Sequence, residues 1–180
     1  MITSFSEIFY IIILTLAVGY IISGYIRIPG LYSGGLNWRS IKFAILVAAP
    51  AVVIHELGHK FAGIALGYAS FFHIWWFGLV IGIALRAIGS PFLLLAPGYV
   101  SIPATNPVHL GLIAFAGPFI NLVLFLAALI VLKNKRRMKK KEFLFWHLTK
   151  VINMWLFIFN MIPIPPLDGS KVFGALFGLL

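Results

Sequence analysis

The chain has 180 residues, of which 62% are hydrophobic and only 10% charged, with a mean hydropathy of +1.05. A soluble domain carries about 25% charged residues, so this composition excludes a water-soluble globule, and the length allows one domain. The net charge is +10 and there is no cysteine, which excludes disulfides and thiolate metal ligands.

The first uncharged run, from Ile8 to Ile26, predicts a helix over about 7–26. Glu7 precedes it with no Lys or Arg, and it exceeds a signal-peptide core, so it reads as a retained helix. A loop rich in Gly, Pro and Ser follows, with Pro29, Gly30, Ser33, Gly34 and Gly35. A second helix is predicted over about 40–68. The stretch 69–107 is apolar but holds Gly78, Gly82, Gly89, Pro91, Pro97, Gly98, Pro103 and Pro107. That density argues against one straight spanning helix. Its β-branched and aromatic residues allow strands or a re-entrant segment, packed at the interface or against protein, since irregular backbone is not tolerated against lipid. Third and fourth helices are predicted over about 108–132 and 143–162, the last ending at Pro163, Pro165 and Pro166.

Between the third and fourth helices, residues 133–141 hold seven of the fourteen basic side chains. A basic cluster beside apolar runs reads as a solvated loop on anionic lipid head groups. A nucleic-acid surface would spread such charge over a folded face with aromatics between, so no nucleic-acid partner is expected. The expected fold class is an all-α polytopic membrane protein. It has about four transmembrane helices and a short membrane-associated β or re-entrant region between helices two and three. It is read as one membrane-embedded domain, 1–180, with its core at 40–171, in an integral multi-pass protein. Composition is silent on oligomeric state.

Residues 55–59 read His-Glu-Leu-Gly-His. On a helix, positions four apart share a face, so both imidazoles can reach one ion, with Glu56 beside them to hold a water. This is the zinc-protease arrangement of two ligands and a general base. The competing reading is two histidines satisfied by neighbouring helices. The acidic residues weigh against it. There are four: Glu7, Glu56, Glu142 and Asp168. Glu7 and Glu142 flank apolar runs, where head groups can solvate them. Glu56 and Asp168 lie within or at the end of apolar segments, where an ionised carboxylate costs about 2.5 to 3.5 kcal/mol and needs a partner. A catalytic zinc takes three protein ligands, and His55, His59 and Asp168 supply that number and type, giving one zinc per chain. Past Ile162 the prolines lack backbone donors, so the chain must unwind and turn Asn160 and Asp168 toward a polar cavity. For Gly117, Pro118 and Asn121 structural roles are favoured: close helix approach, a bend and an interhelical hydrogen bond. His73, His109 and His147 match no motif and read as interfacial or capping.

The three segments His55–His59, Gly117-Pro118-Phe119-Ile120-Asn121 and Asn160-Met161-Ile162-Pro163-Ile164-Pro165-Pro166-Leu167-Asp168-Gly169 resemble the site-2 protease family of intramembrane metalloproteases. They follow its order HExxH, GPxxN, NxxPxPxxDG. The resemblance implies zinc on His55, His59 and Asp168, with Glu56 as base. It also implies Asn160 near the scissile carbonyl, and strands in 70–105 that present substrate. The expected activity is zinc-dependent cleavage within or near a transmembrane segment of a protein substrate, as in regulated intramembrane proteolysis. The loop at 133–141 is too short for a PDZ insertion and twelve residues follow Asp168, which reads as a minimal core. The rival readings are a non-proteolytic metal-binding membrane protein and a metal transporter. The positive-inside rule puts Arg27, Arg39, Lys42 and the 133–141 loop in the cytoplasm; the resemblance implies that this loop lies outside.

Overall fold

The computed structural model describes residues 4–26, 37–90, 98–103 and 105–178. Arg27, the glycine-rich loop at 29–35, and Pro91 and Pro97 lie outside the described residues. Helix α1 spans Phe5–Ser23 and opens with a capping box: the Glu7 amide donates to the Ser4 hydroxyl, and the Ser4 amide donates to the Glu7 carboxylate. Helix α2, Trp38–Ala65, is capped by the Asn37 side chain, which accepts from the Arg39 amide. The two run antiparallel, with Gly19 against Ile45 and Glu7 against Lys60. Ala44, Ala48 and Ala51 on α2 are buried, and such small residues let helices approach closely in membranes.

Strand β1, Phe71–Ile74, pairs antiparallel with β2, Gly98–Ser101, with Phe72 opposite Val100. Between them lies helix α3, Trp76–Ala87. No helix was expected there, because the glycines and prolines were weighed across the whole stretch. The helix itself contains no proline, and Gly78 and Gly82, one turn apart, are buried in the packed face. At 12 residues it is about 18 Å long, short of the roughly 30 Å hydrocarbon core. Its Arg86 guanidinium stands over the Tyr20 ring near the far end of α1, and the Tyr25 hydroxyl donates to the Ser90 carbonyl. Because β1 and β2 pair, the segment between them leaves and rejoins the same sheet. The region holds two strands and a helix too short to span.

Helix α4 spans Pro107–Asn134 and α5 Lys140–Asn160. Among the described residues α1, α2 and α4 are long and apolar enough to cross a membrane. The fourth expected helix forms as α5. Its 21 residues reach about 31 Å, though His147, Thr149, Lys150 and Asn153 make it less apolar. Helix α6, Asp168–Leu176, follows a turn over 161–167. Large apolar side chains such as Phe5, Phe9 and Leu46 are exposed, as a lipid-facing surface requires.

One sequence expectation fails. Glu7 does not sit in head groups; it is 4% exposed and ion-paired with Lys60 at 2.5 Å. The capping box turns its carboxylate along α1 toward α2, a direction invisible to a reading that saw only its place before an apolar run. Glu142 is the surface carboxylate. The Lys135 ammonium donates to it and holds its carboxyl below the usual range.

Candidate metal centre

His55 and His59 occupy one face of α2, one turn apart, and both are buried. Their Nδ1 atoms are engaged by α4. That of His55 donates to Asn121 Oδ1 at 2.6 Å, and that of His59 donates to the Ile113 carbonyl at 2.8 Å. The Asn121 amide is oriented by what its nitrogen does: it donates to the Ala51 carbonyl and to Asn153 Oδ1, both at 2.9 Å. Its oxygen is therefore the atom facing His55, and oxygen only accepts. Both imidazoles thus donate through Nδ1 and turn Nε2 to the same point.

Asp168 reaches that point from the start of α6. Its Oδ2 lies 3.3 Å from His55 Nε2 and 3.3 Å from His59 Nε2, and the two Nε2 atoms are 3.1 Å apart. Two imidazole nitrogens and a carboxylate oxygen are the donor set a divalent zinc takes. Ligands at about 2.0 Å around a tetrahedral ion stand roughly 3.3 Å apart, so the triangle fits one small divalent ion. Among the described residues, these three are the group of metal-ligating side chains that converges in this way.

The turn that delivers Asp168 follows from sequence. Helix α5 stops at Asn160, ahead of the prolines, and the chain folds back through bonds such as the Leu167 amide to the Ile164 carbonyl. Gly169 makes the return possible: a Cβ there would stand 2.4 Å from the Met161 carbonyl oxygen and 2.5 Å from that of Ile162. Glu56, the residue after His55 on α2, is half-buried. Asn160 lies at the end of α5, where its amide donates to the Leu156 carbonyl at 3.0 Å.

The structure brings His55, His59 and Asp168 together, with Glu56 next to His55 along α2, and shows two supports that the sequence leaves as generic packing. Asn121 does more than join helices, since it orients a metal-facing imidazole. Gly117 does more than admit a neighbouring helix, since it lies directly beneath both imidazoles. Asn153 on α5 anchors Asn121. The signal for all three was their position one helical face away from the HExxH helix, which periodicity alone does not assign. Of the unmatched histidines, His73 bonds Ser101, His109 bonds the Tyr68 hydroxyl, and His147 stacks on Phe143.

Two comparisons bear on this centre. The model of peptidase family M50 matches residues 133–180. A Methanocaldococcus jannaschii protein is 34% identical over 147 residues, covering 76% of this chain and 72% of its own length. A Synechocystis protein is 32% identical over 148 residues, covering 81% of this chain and 34% of its own length. Each is named as a putative zinc metalloprotease. No solved structure matches significantly. The chain belongs to peptidase family M50, the site-2 protease family, and is an integral multi-pass membrane protein.

Proposed function

We propose that the protein is a zinc-dependent endopeptidase that cuts a peptide bond within or near a transmembrane segment of another membrane protein, the activity used in regulated intramembrane proteolysis. One observation carries the reading: the ligand atoms of His55, His59 and Asp168 converge on one point, beside the glutamate that follows His55. His55, His59 and Asp168 would hold a zinc ion, which would supply Lewis acidity at the scissile peptide bond. Glu56 takes the proton of the attacking water and passes it to the leaving amine. Asn160 turns its amide from the Leu156 carbonyl to the oxygen on which charge develops.

A transmembrane helix hides its carbonyls in internal hydrogen bonds, so the substrate must be opened before it is cut. The two-stranded sheet suits this task, since an extended segment adds to a strand edge by backbone bonds. Gly, Asn or Pro near the scissile bond would ease the opening, and replacing them by leucine is expected to slow cleavage. The basic loop at 133–141 would bind anionic head groups while the helices hold the substrate.

Glu56→Gln tests the reading on a single-span peptide with a Gly-Asn pair at its centre. The variant is expected to keep about one zinc per chain, as the wild type does, and to lose cleavage. Cleavage at the wild-type rate by Glu56→Gln would rule out its role as base. A wild-type protein that binds zinc and cuts no such peptide would favour a metal-binding protein without proteolysis.

A further inference from the structure

The buried cluster at the entrance side of the bundle has a carboxylate at its centre that the chemistry above does not use. Glu7 Oε1 accepts from Lys60 Nζ at 2.5 Å and from the Phe72 amide at 2.8 Å, while Oε2 accepts from the Ser4 amide at 2.8 Å. Lys60 is 2% exposed and follows the ligand His59 directly. Phe72 lies at the middle of β1 and is 2% exposed. One side chain therefore joins the first turn of α1, the motif helix α2 and the first strand of the sheet.

Burying an ion pair gives little stability. Its desolvation can match the Coulombic gain, and apolar residues of similar volume often serve as well. Stability alone does not explain why a lipid-embedded helix pair carries one here. The strand bond does. In an antiparallel pair, successive residues point their amides alternately toward and away from the partner strand. Phe72 spends its amide on Glu7, so it points away from β2, at the outer edge of β1. An unpaired outer edge would invite another strand.

We infer that Glu7 is a positioning residue for the sheet: it pins β1 to the helix that carries the metal ligands, closes the outer edge of β1, and so directs an extended substrate to β2. Lys60 neutralises Glu7 and ties it to the residue after His59. The distance from sheet to metal centre is thereby set through one carboxylate. This inference rests on the protease reading for its consequence on substrate, and on the geometry alone for the pinning.

The test compares two double variants, E7Q/K60M and E7L/K60M, in the full chain in detergent. Both remove the ion pair without leaving a lone buried charge. They differ in one respect: glutamine keeps an oxygen for the Phe72 amide and leucine does not. Zinc content, hydrogen exchange over 71–74, and KM and kcat on the same single-span peptide are measured. Both variants are expected to hold about one zinc per chain. In E7L/K60M, exchange of the β1 amides and KM should each rise about tenfold, the scale of one lost hydrogen bond, with kcat nearly unchanged; E7Q/K60M should stay near wild type in both. Equal exchange in the two variants, or failure of both to fold, would overturn the inference. Unequal exchange with equal KM would overturn the substrate-directing part and leave the pin. If the wild type cuts nothing, the protease reading fails by itself and exchange still decides the pin.

Discussion

A Cβ atom at Gly117 would stand 2.4 Å from His59 Nε2 and 2.7 Å from His55 Nε2, so the smallest side chain at that position would displace both metal-facing nitrogens. The GPxxN segment on α4 is thus the floor of the site as well as a helix-packing surface.

Gly117→Ala is expected to lose most bound zinc and most cleavage while the protein still inserts. The added methyl meets the imidazoles first and moves them off the point they share with Asp168. Zinc per chain, measured after desalting, checks this. A value near that of the wild type would mean that the two helices part instead.

Asn121 gives a second prediction. Its oxygen sets the His55 tautomer, and removal of such a support typically costs 10- to 100-fold in metal affinity. Asn121→Ala should fall in that range by chelator competition. It should also weaken the bundle, because Asn153 Oδ1 and the Ala51 carbonyl each lose a donor.

Asp168→Asn should weaken zinc binding and remove cleavage with the fold retained, since the amide is nearly isosteric. If Asp168 served only to turn the chain before Gly169, asparagine, an equally good turn residue, would be close to neutral. Zinc stoichiometry and cleavage at wild-type values in this variant would leave the site with two protein ligands.

Much of this architecture was legible in the sequence. The four long helices came from apolar stretches, unbroken in α1 and α4 and interrupted by polar residues in α2 and α5. His55 and His59 were legible because the i, i+4 spacing is a statement about one helix. Asp168 was legible because an aspartate at the end of an apolar run has few ways to be stabilised. Glu7 was misplaced for a related reason: its partner, Lys60, lies 53 positions away, and nothing local announces it. Helix α3 was hidden because the prolines around it were weighed together with it. Asn121 and Asn153 were visible as polar residues among apolar ones, but which atom each would meet depends on how α4 and α5 rotate against α2.

Sidedness is the fourth prediction. The sheet, the end of α2 and the start of α4 lie at one end of the bundle, while Arg39, Lys42 and the 133–141 loop lie at the other, because α2 and α4 run antiparallel. The positive-inside rule then puts the basic end in the cytoplasm and the metal-centre end toward the opposite face. Single cysteines at 134 and 138 should be closed to an impermeant thiol reagent in intact cells and open after lysis. Labelling in intact cells would reverse the orientation. The chain has no native cysteine to obscure the result.

The amide chain from His55 through Asn121 to Asn153 also acts as a vernier. Helix α5 carries no ligand along its length, yet the turn to Asp168, fifteen positions beyond Asn153, starts from its end, while α6 rests on α4 at Gly111. A slip of α5 by a single residue would shift it about 1.5 Å along its axis, enough to carry the carboxylate out of bonding range. Asn153 meets Asn121 at only one setting of that slide. The register of α5 against α4, which apolar side chains specify only loosely, is thereby graduated to a fraction of a helical turn by two side-chain amides.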